Sequence, residues 1–153
     1  CSAAILADED VVYVARVAGR RIVSVGLHVG TRLPAYCTSM GRILLSGLPS
    51  TELETFLGKA TIRANTPKTV TDRAQLARLI RQADEDGYAA IDEELEIGLR
   101  SIAVPVRDRS GRIVAAINVS TQSARTSMEE MERTFLPHLR EAAARIENFF
   151  VVE

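Results

Sequence analysis

Residues 101–120 read SIAVPVRDRSGRIVAAINVS, and this stretch decides the fold. Two runs rich in β-branched residues, 101–106 and 112–120, flank Asp108-Arg109-Ser110-Gly111, a cluster of turn formers. The pattern predicts an antiparallel hairpin. With Arg107 placed opposite Arg112, Ser101 falls opposite Asn118. Alternate side chains share a face, so Ser101, Ala103 and Pro105 join Val114, Ala116, Asn118 and Ser120. That face is small at its centre and polar at one end. The other face carries Ile102, Val104, Val106, Ile113, Ala115, Ile117 and Val119, is purely apolar, and must be packed. A small-walled face ending in hydrogen-bonding groups suits a small polar ligand. It equally fits a solvent-exposed strand end.

Working outward, residues 11–17 (VVYVARV) and 22–27 (IVSVGL) predict a second hairpin turning through Ala18-Gly19-Arg20-Arg21, and residues 28–37 read as a loop. Thr38 can cap a helix running to about Gly47, and Pro49-Ser50 opens another with Leu53, Phe56 and Leu57 on one side. Residues 58–70 form a polar connector. A stronger helix starts at Thr71-Asp72, with Leu76, Leu79, Ile80 and Ala83 at helical spacing and Gly87 as its left-handed end. Residues 88–92 fit a strand. The closing helix begins at a capping box, Thr126 with Glu129. Its apolar stripe is Met128, Met131, Phe135, Leu139, Ala142, Ile146 and Phe149, and Pro137 should kink it. The sum is an α+β domain around a mainly antiparallel sheet flanked by helices, compatible with a GAF- or PAS-like sensor.

Bulk properties narrow the function classes. The 153 residues suit one domain, with 46% hydrophobic and 25% charged residues. With 19 basic and 20 acidic residues the net charge is −1, so the chain lacks the basic excess of a self-sufficient DNA-binding domain. Two cysteines, Cys1 and Cys37, make no disulfide framework, and a reducing cytoplasm is expected. No apolar run approaches the roughly 20 residues of a membrane span. The first methionine is Met40, which reads as a fragment of a longer protein.

Catalytic signatures are missing. His28 and His138 have no motif around them. There is no G-x-S-x-G, H-E-x-x-H, C-x-x-C or phosphate-cradling glycine loop. The run Asp92-Glu93-Glu94 with Glu96 reads as a solvated acidic edge in preference to a cation site, because adjacent carboxylates point different ways. No cofactor or metal is expected, and the chain reads as a non-enzyme. The rival is a GAF-like thiol-dependent enzyme working through Cys37, which would need Cys1 as its resolving thiol. A pure oligomerisation module is the third reading and predicts a pocket filled by side chains. One further binding feature is the helix start Thr38-Ser39-Met40-Gly41. Helix N-termini attract anions, although the same residues describe an ordinary capped helix.

Three stretches carry a resemblance. GTRLPAYCTSMGRILLS from Gly30, TPKTVTD (66–72) and EELEIGLRSIAVPVRDRSGRIVAAINVS from Glu93 resemble the C-terminal effector domain of IclR-type transcriptional regulators, over nearly the whole chain. RLPAYCTSMGR, TPKTVTDRA and GLRSIAVPVRDR look most like the branch governing protocatechuate and 4-hydroxybenzoate breakdown. The resemblance implies an effector-binding domain over 1–153, without the N-terminal winged helix-turn-helix through which such regulators touch DNA. It also implies a homodimer or tetramer, and as effector an aromatic acid or the β-ketoadipate formed from one. Carried over, the pocket comprises Ser39 and Met40 at the helix start with Ser101, Asn118 and Ser120 on the strand pair. Backbone N–H groups near Ser39, Met40 and Gly41 would hold a carboxylate, and Arg16 or Arg42 would supply the countercharge.

Overall fold

The computed structural model describes residues 1–19 and 26–149. Six strands form one antiparallel sheet: β1 (Ser2–Ala7), β2 (Asp10–Arg16), β3 (Arg32–Pro34), β4 (Ala89–Asp92), β5 (Leu99–Arg107) and β6 (Ile113–Gln122), in the order β3-β2-β1-β6-β5-β4. One face carries α1 (Ser39–Ser46), α2 (Ser50–Lys59) and α3 (Arg73–Asp86). The other carries a closing helix made of α4 (Met128–Glu130), a wider π-type stretch (Met131–Phe135) and α5 (Leu136–Phe149). The expected α+β class with a mainly antiparallel sheet is what forms.

Local chemistry sets the helices. The Thr38 hydroxyl accepts from Gly41 N at 3.2 Å and starts α1. The Asp72 carboxylate accepts from Gln75 N at 2.7 Å and starts α3, which ends at left-handed Gly87. Helix α1 is buried from Ser39 to Leu45 and lies flat on the sheet. Its first turn sits directly against the 3₁₀ turn Ala35–Cys37 because Gly41 has no side chain: a Cβ there would stand 2.0 Å from the carbonyl oxygen of Ala35.

The central hairpin differs from the sequence-based register in an instructive way. The turn closes on Asp108 and Arg112, with Asp108 N donating to the Arg112 carbonyl at 2.9 Å, so the loop has one residue fewer than expected. A bulge then inserts Val114 between the pairs Arg107↔Ile113 and Val106↔Ala115. The two one-residue changes add, and Ser101 pairs with Ser120 and Ala103 with Asn118. A shift of two leaves every side chain beyond the bulge on its expected face. Inside the bulge the faces exchange: Ile113 packs into the α1–α3 layer, and Val114 is 39% exposed. The Arg107 N–H at the bulge is taken by Glu147 Oε1 of α5 at 2.7 Å.

Three other expectations are corrected. The strand expected over 11–17 forms as β2, with β1 and β3 as its described partners. Residues 22–25, the bulk of the expected second strand, lie outside the described residues, and the expected loop 28–37 contains β3. The capping box starts one residue later, with the Ser127 hydroxyl accepting from Glu130 N at 3.1 Å, while Thr126 bonds Thr121. The closing helix accommodates Pro137 by widening before it: Leu136 N reaches the carbonyl of Met131, five residues back. That extra residue rotates the stripe. Met131, Leu136, Leu139 and Ala143 pack on the sheet, whereas Ile146 and Phe149 are exposed at 38% and 80%. Phe135, Ala142 and Ile146 instead border an open apolar groove against Ala3, Ala15 and Ile117.

Gly41→Ala tests the close approach of α1. Overpacking of this kind costs about 1–3 kcal/mol, so thermal unfolding should show a midpoint lowered by several degrees, at about 2–4 °C per kcal/mol for a chain of this size.

Candidate functional site

Below the first turn of α1 the sheet's inner face leaves a hollow. Its walls include Ser39 and Met40 from α1, Ser101 from β5, and Asn118 and Ser120 from β6. Five of the eight residues singled out in the sequence therefore meet in one place. The hollow is narrow, with room for only about one water. Tyr13, Cys37, Thr38, Ile91, Leu95 and Leu99 complete the lining. Of these, sequence reading named Thr38 in the helix start and Cys37 only as a rival enzyme's thiol, and it missed Tyr13, Ile91, Leu95 and Leu99 as site residues. Tyr13 alternates with Val11 on β2, and both are buried, so an inward strand position with a polar tip was the available signal. Leu95 lies in the β4–β5 loop, where no periodicity points to it.

The hydrogen bonding of this lining is unusual. Among the described residues, no hydrogen bond engages the hydroxyls of Tyr13, Ser39 or Ser101, although these residues are 5%, 2% and 9% exposed. Asn118 makes one long bond, donating from Nδ2 to Ser120 Oγ at 3.4 Å. No side-chain N or O sealed from accessible space is without a partner among the described residues. The unengaged hydroxyls therefore open onto accessible space, and the hollow is the space their residues line. Burial raises the Tyr13 phenol pKa, with the charge of Arg16 opposing.

Three expected residues take other places. Gly41 does not line the hollow; its N–H is held by Thr38 and its Cα lies against Ala35. Arg42 points away into a buried ion pair, Nη2 to Glu94 Oε2 at 2.6 Å, with the side chains 5% and 9% exposed. Its Nε donates to the Tyr36 carbonyl at 3.2 Å. Its charge is thus committed inside the protein. Arg16 sits on the inner face one row beyond the hollow. A bulge at Val14 pairs Ala3 with Ala15 and Ala4 with Tyr13. It brings Arg16 to the same face as Tyr13, opposite Ser2, whose hydroxyl accepts from Arg16 Nη1 at 3.4 Å. Ser2 in turn pairs with Asn118.

The β4–β5 wall is clamped from outside. Thr66 and Thr69 donate their hydroxyl hydrogens to the carbonyls of Glu93 and Glu94, at 2.7 and 2.6 Å. Val70 N donates to Glu94 Oε2 at 3.2 Å. The acidic run is shared among three cations: Lys68 pairs with Asp92 and Glu93, Arg100 with Asp92, and Arg42 with Glu94. Among the described residues no cluster of His, Cys, Asp or Glu has the makings of a metal site. Cys37 is buried; its thiol pKa is pushed up to about 11 by burial first and the Glu94 charge second, with Arg42 opposing. The thiol is protonated at neutral pH, so proximity to a helix N-terminus does not activate it.

The sequence as a whole matches the C-terminal model of the bacterial transcriptional regulator IclR over residues 1–148. The chain belongs to the IclR family. It is 49% identical over 141 residues to the Pca regulon regulatory protein of Pseudomonas putida, covering 92% of this chain and 48% of that one. It is 34% identical over 128 residues to the p-hydroxybenzoate hydroxylase transcriptional activator of Acinetobacter baylyi, covering 84% and 47%. The chain thus spans about half the length of these IclR-family relatives. Among solved structures, a double mutant of the PobR inducer-binding domain from Acinetobacter, in complex with 3-hydroxybenzoic acid, superposes with a TM-score of 0.90 at 33% identity, covering 97% of this chain and 87% of that one. The relatives are transcriptional regulators. Among the described residues no helix is long and apolar enough to cross a membrane.

Two outcomes check the frame of the site. Glu94→Ala leaves Arg42 buried without its partner and should destabilise the domain by about 3–5 kcal/mol, while the apolar pair Arg42→Met with Glu94→Leu should cost far less. Chemical denaturation of the three proteins makes the comparison. For Cys37, the unfolded thiol ionises near 9.0 and the folded one near about 11. Stability should therefore fall as pH rises through that window, because only the unfolded chain gains the charge. Unfolding curves of wild type and Cys37→Ala should diverge below pH 9 and converge toward pH 11.

Proposed function

We propose that this domain binds a small carboxylate-bearing metabolite in the hollow beneath α1 and so controls the DNA binding of a longer regulator. The observation that carries the proposal is the set of hydroxyls on the buried residues Tyr13, Ser39 and Ser101, which open onto accessible space and which no group among the described residues engages. Buried polar groups are almost always paired, so groups of this kind facing one hollow are suited to a partner from outside. Leaving each unpaired costs about 1–3 kcal/mol, which gives selectivity for a ligand that supplies the missing bonds.

In this reading the N–H groups of Ser39 and Met40, in the first turn of α1, hold the carboxylate. Ser101, Asn118 and Ser120 bond the remaining polar groups, and Arg16 lends positive charge from the adjoining row. Gly41 and Arg42 contribute by fixing α1. The walls of Met40, Ile91, Leu95 and Leu99 suit a flat apolar body. With a P. putida relative named for the Pca regulon and an Acinetobacter neighbour holding 3-hydroxybenzoic acid, the candidates are 4-hydroxybenzoate, protocatechuate and β-ketoadipate. The hollow is narrower than any of them, so binding requires its walls to move. A movement alters DNA binding if it favours one arrangement of a dimer or tetramer over another. Contact with the operator falls to a winged helix-turn-helix outside this chain.

Calorimetric titration with the three compounds tests the proposal. One of them should bind saturably, and Asn118→Ala should weaken it about tenfold or more. No heat from any of the three would remove the aromatic-acid reading.

A further inference from the structure

The domain has two buried tyrosines on the α1 side of the sheet, and their hydroxyls are treated oppositely. Tyr36 is 3% exposed and its hydroxyl is saturated: it donates to the Arg63 carbonyl at 2.7 Å, accepts from Arg63 N at 3.0 Å, and is approached by Asn65 Nδ2 at 3.4 Å. Tyr13 is 5% exposed, and among the described residues its hydroxyl meets no hydrogen-bonding group. Its backbone is fully used, with N donating to the Thr31 carbonyl at 3.0 Å and its carbonyl accepting from Gly30 N at 2.7 Å. Only the phenol tip is left over, on a residue lining the hollow.

Packing alone does not account for that hydroxyl. A phenylalanine would fill the same volume, and the hydroxyl that Tyr13 adds bonds nothing in the described protein and opens onto accessible space, so it serves neither packing nor the fold's own hydrogen bonding. The backbone beside it is specialised as well. The Val14 bulge lies next to Tyr13, and bulges re-aim neighbouring side chains.

From this we infer that Tyr13 is a ligand-recognition residue of the hollow, its phenol hydroxyl donating a hydrogen bond to an oxygen of the bound acid. The inference rests on the proposed binding reading and adds to it a residue of β2 that the sequence reading did not place in the site. The phenol complements the hollow's other donors. It offers a directed hydrogen without a formal charge, and burial keeps it protonated across the neutral range. It selects for ligands with an acceptor oxygen at its end of the hollow and against analogues with hydrogen or methyl there.

The test compares Tyr13→Phe, Tyr36→Phe and the wild-type domain, titrating each calorimetrically with 4-hydroxybenzoate, protocatechuate and β-ketoadipate and recording each thermal midpoint. Tyr13→Phe should bind the compound taken by the wild type about tenfold more weakly with its midpoint unchanged or slightly raised. Tyr36→Phe should lower the midpoint and keep its affinity. If Tyr13→Phe binds as tightly as wild type, or loses thermal stability as Tyr36→Phe does, the role of Tyr13 is overturned while the binding reading stands. If the wild type binds none of the three, both are overturned together.

Discussion

The buried pair of Arg42 and Glu94 is the constraint on which the site depends. Arg42 is part of α1 and Glu94 belongs to the β4–β5 loop, so the 2.6 Å contact joins roof to wall. Neither charge has water to fall back on, and each is completed by backbone: Arg42 by the Tyr36 carbonyl, Glu94 by Val70 N. A buried ion pair contributes little net stability against an apolar alternative, but losing one half is expensive. What it supplies here is position. With the threonine clamps of residues 66 and 69, it holds Leu95 against the hollow from one side while Gly41 seats α1 on the other.

Much of this was legible in the sequence, for reasons that differ by element. The hairpin 99–122 declared itself through alternation, and its inner face was assigned correctly despite a wrong register. Turn and bulge each moved the pairing by one residue in the same direction, and strand periodicity is blind to a shift of two. Ser39 and Met40 stood out at a capped helix start, and Ser101, Asn118 and Ser120 on a strand face; it was the family resemblance that gathered the five into one pocket. Strand β1 gave no comparable signal, since SAAILA has neither strict alternation nor β-branched density.

The residues that were misplaced share a cause. Arg42 looked like a free cation because its partner lies 52 positions away in a loop. Gly41 looked like part of a carboxylate cradle, when its N–H is held by Thr38 and the neighbour it admits is the backbone of Ala35. The stripe of the closing helix was read at a constant pitch, and one inserted π-type residue before Pro137 turned its second half outward. Long-range pairs and single-residue irregularities leave no periodic trace, so only the folded chain reveals them.

The unengaged hydroxyls also bear on how such a domain evolves. Most buried polar groups are tied into the fold, and altering them risks the whole structure. Those of Ser39 and Ser101 hold nothing together, while the frame that fixes their positions sits elsewhere, in Gly41, Arg42 and Glu94. In the proposed binding reading, recognition and foldability are thereby written in separate residues. A lineage can drift through new hydroxyls, methyls or hydrogens around the hollow without passing through unfolded intermediates, and a combinatorial library confined to these positions would search ligand preference while leaving the scaffold untouched.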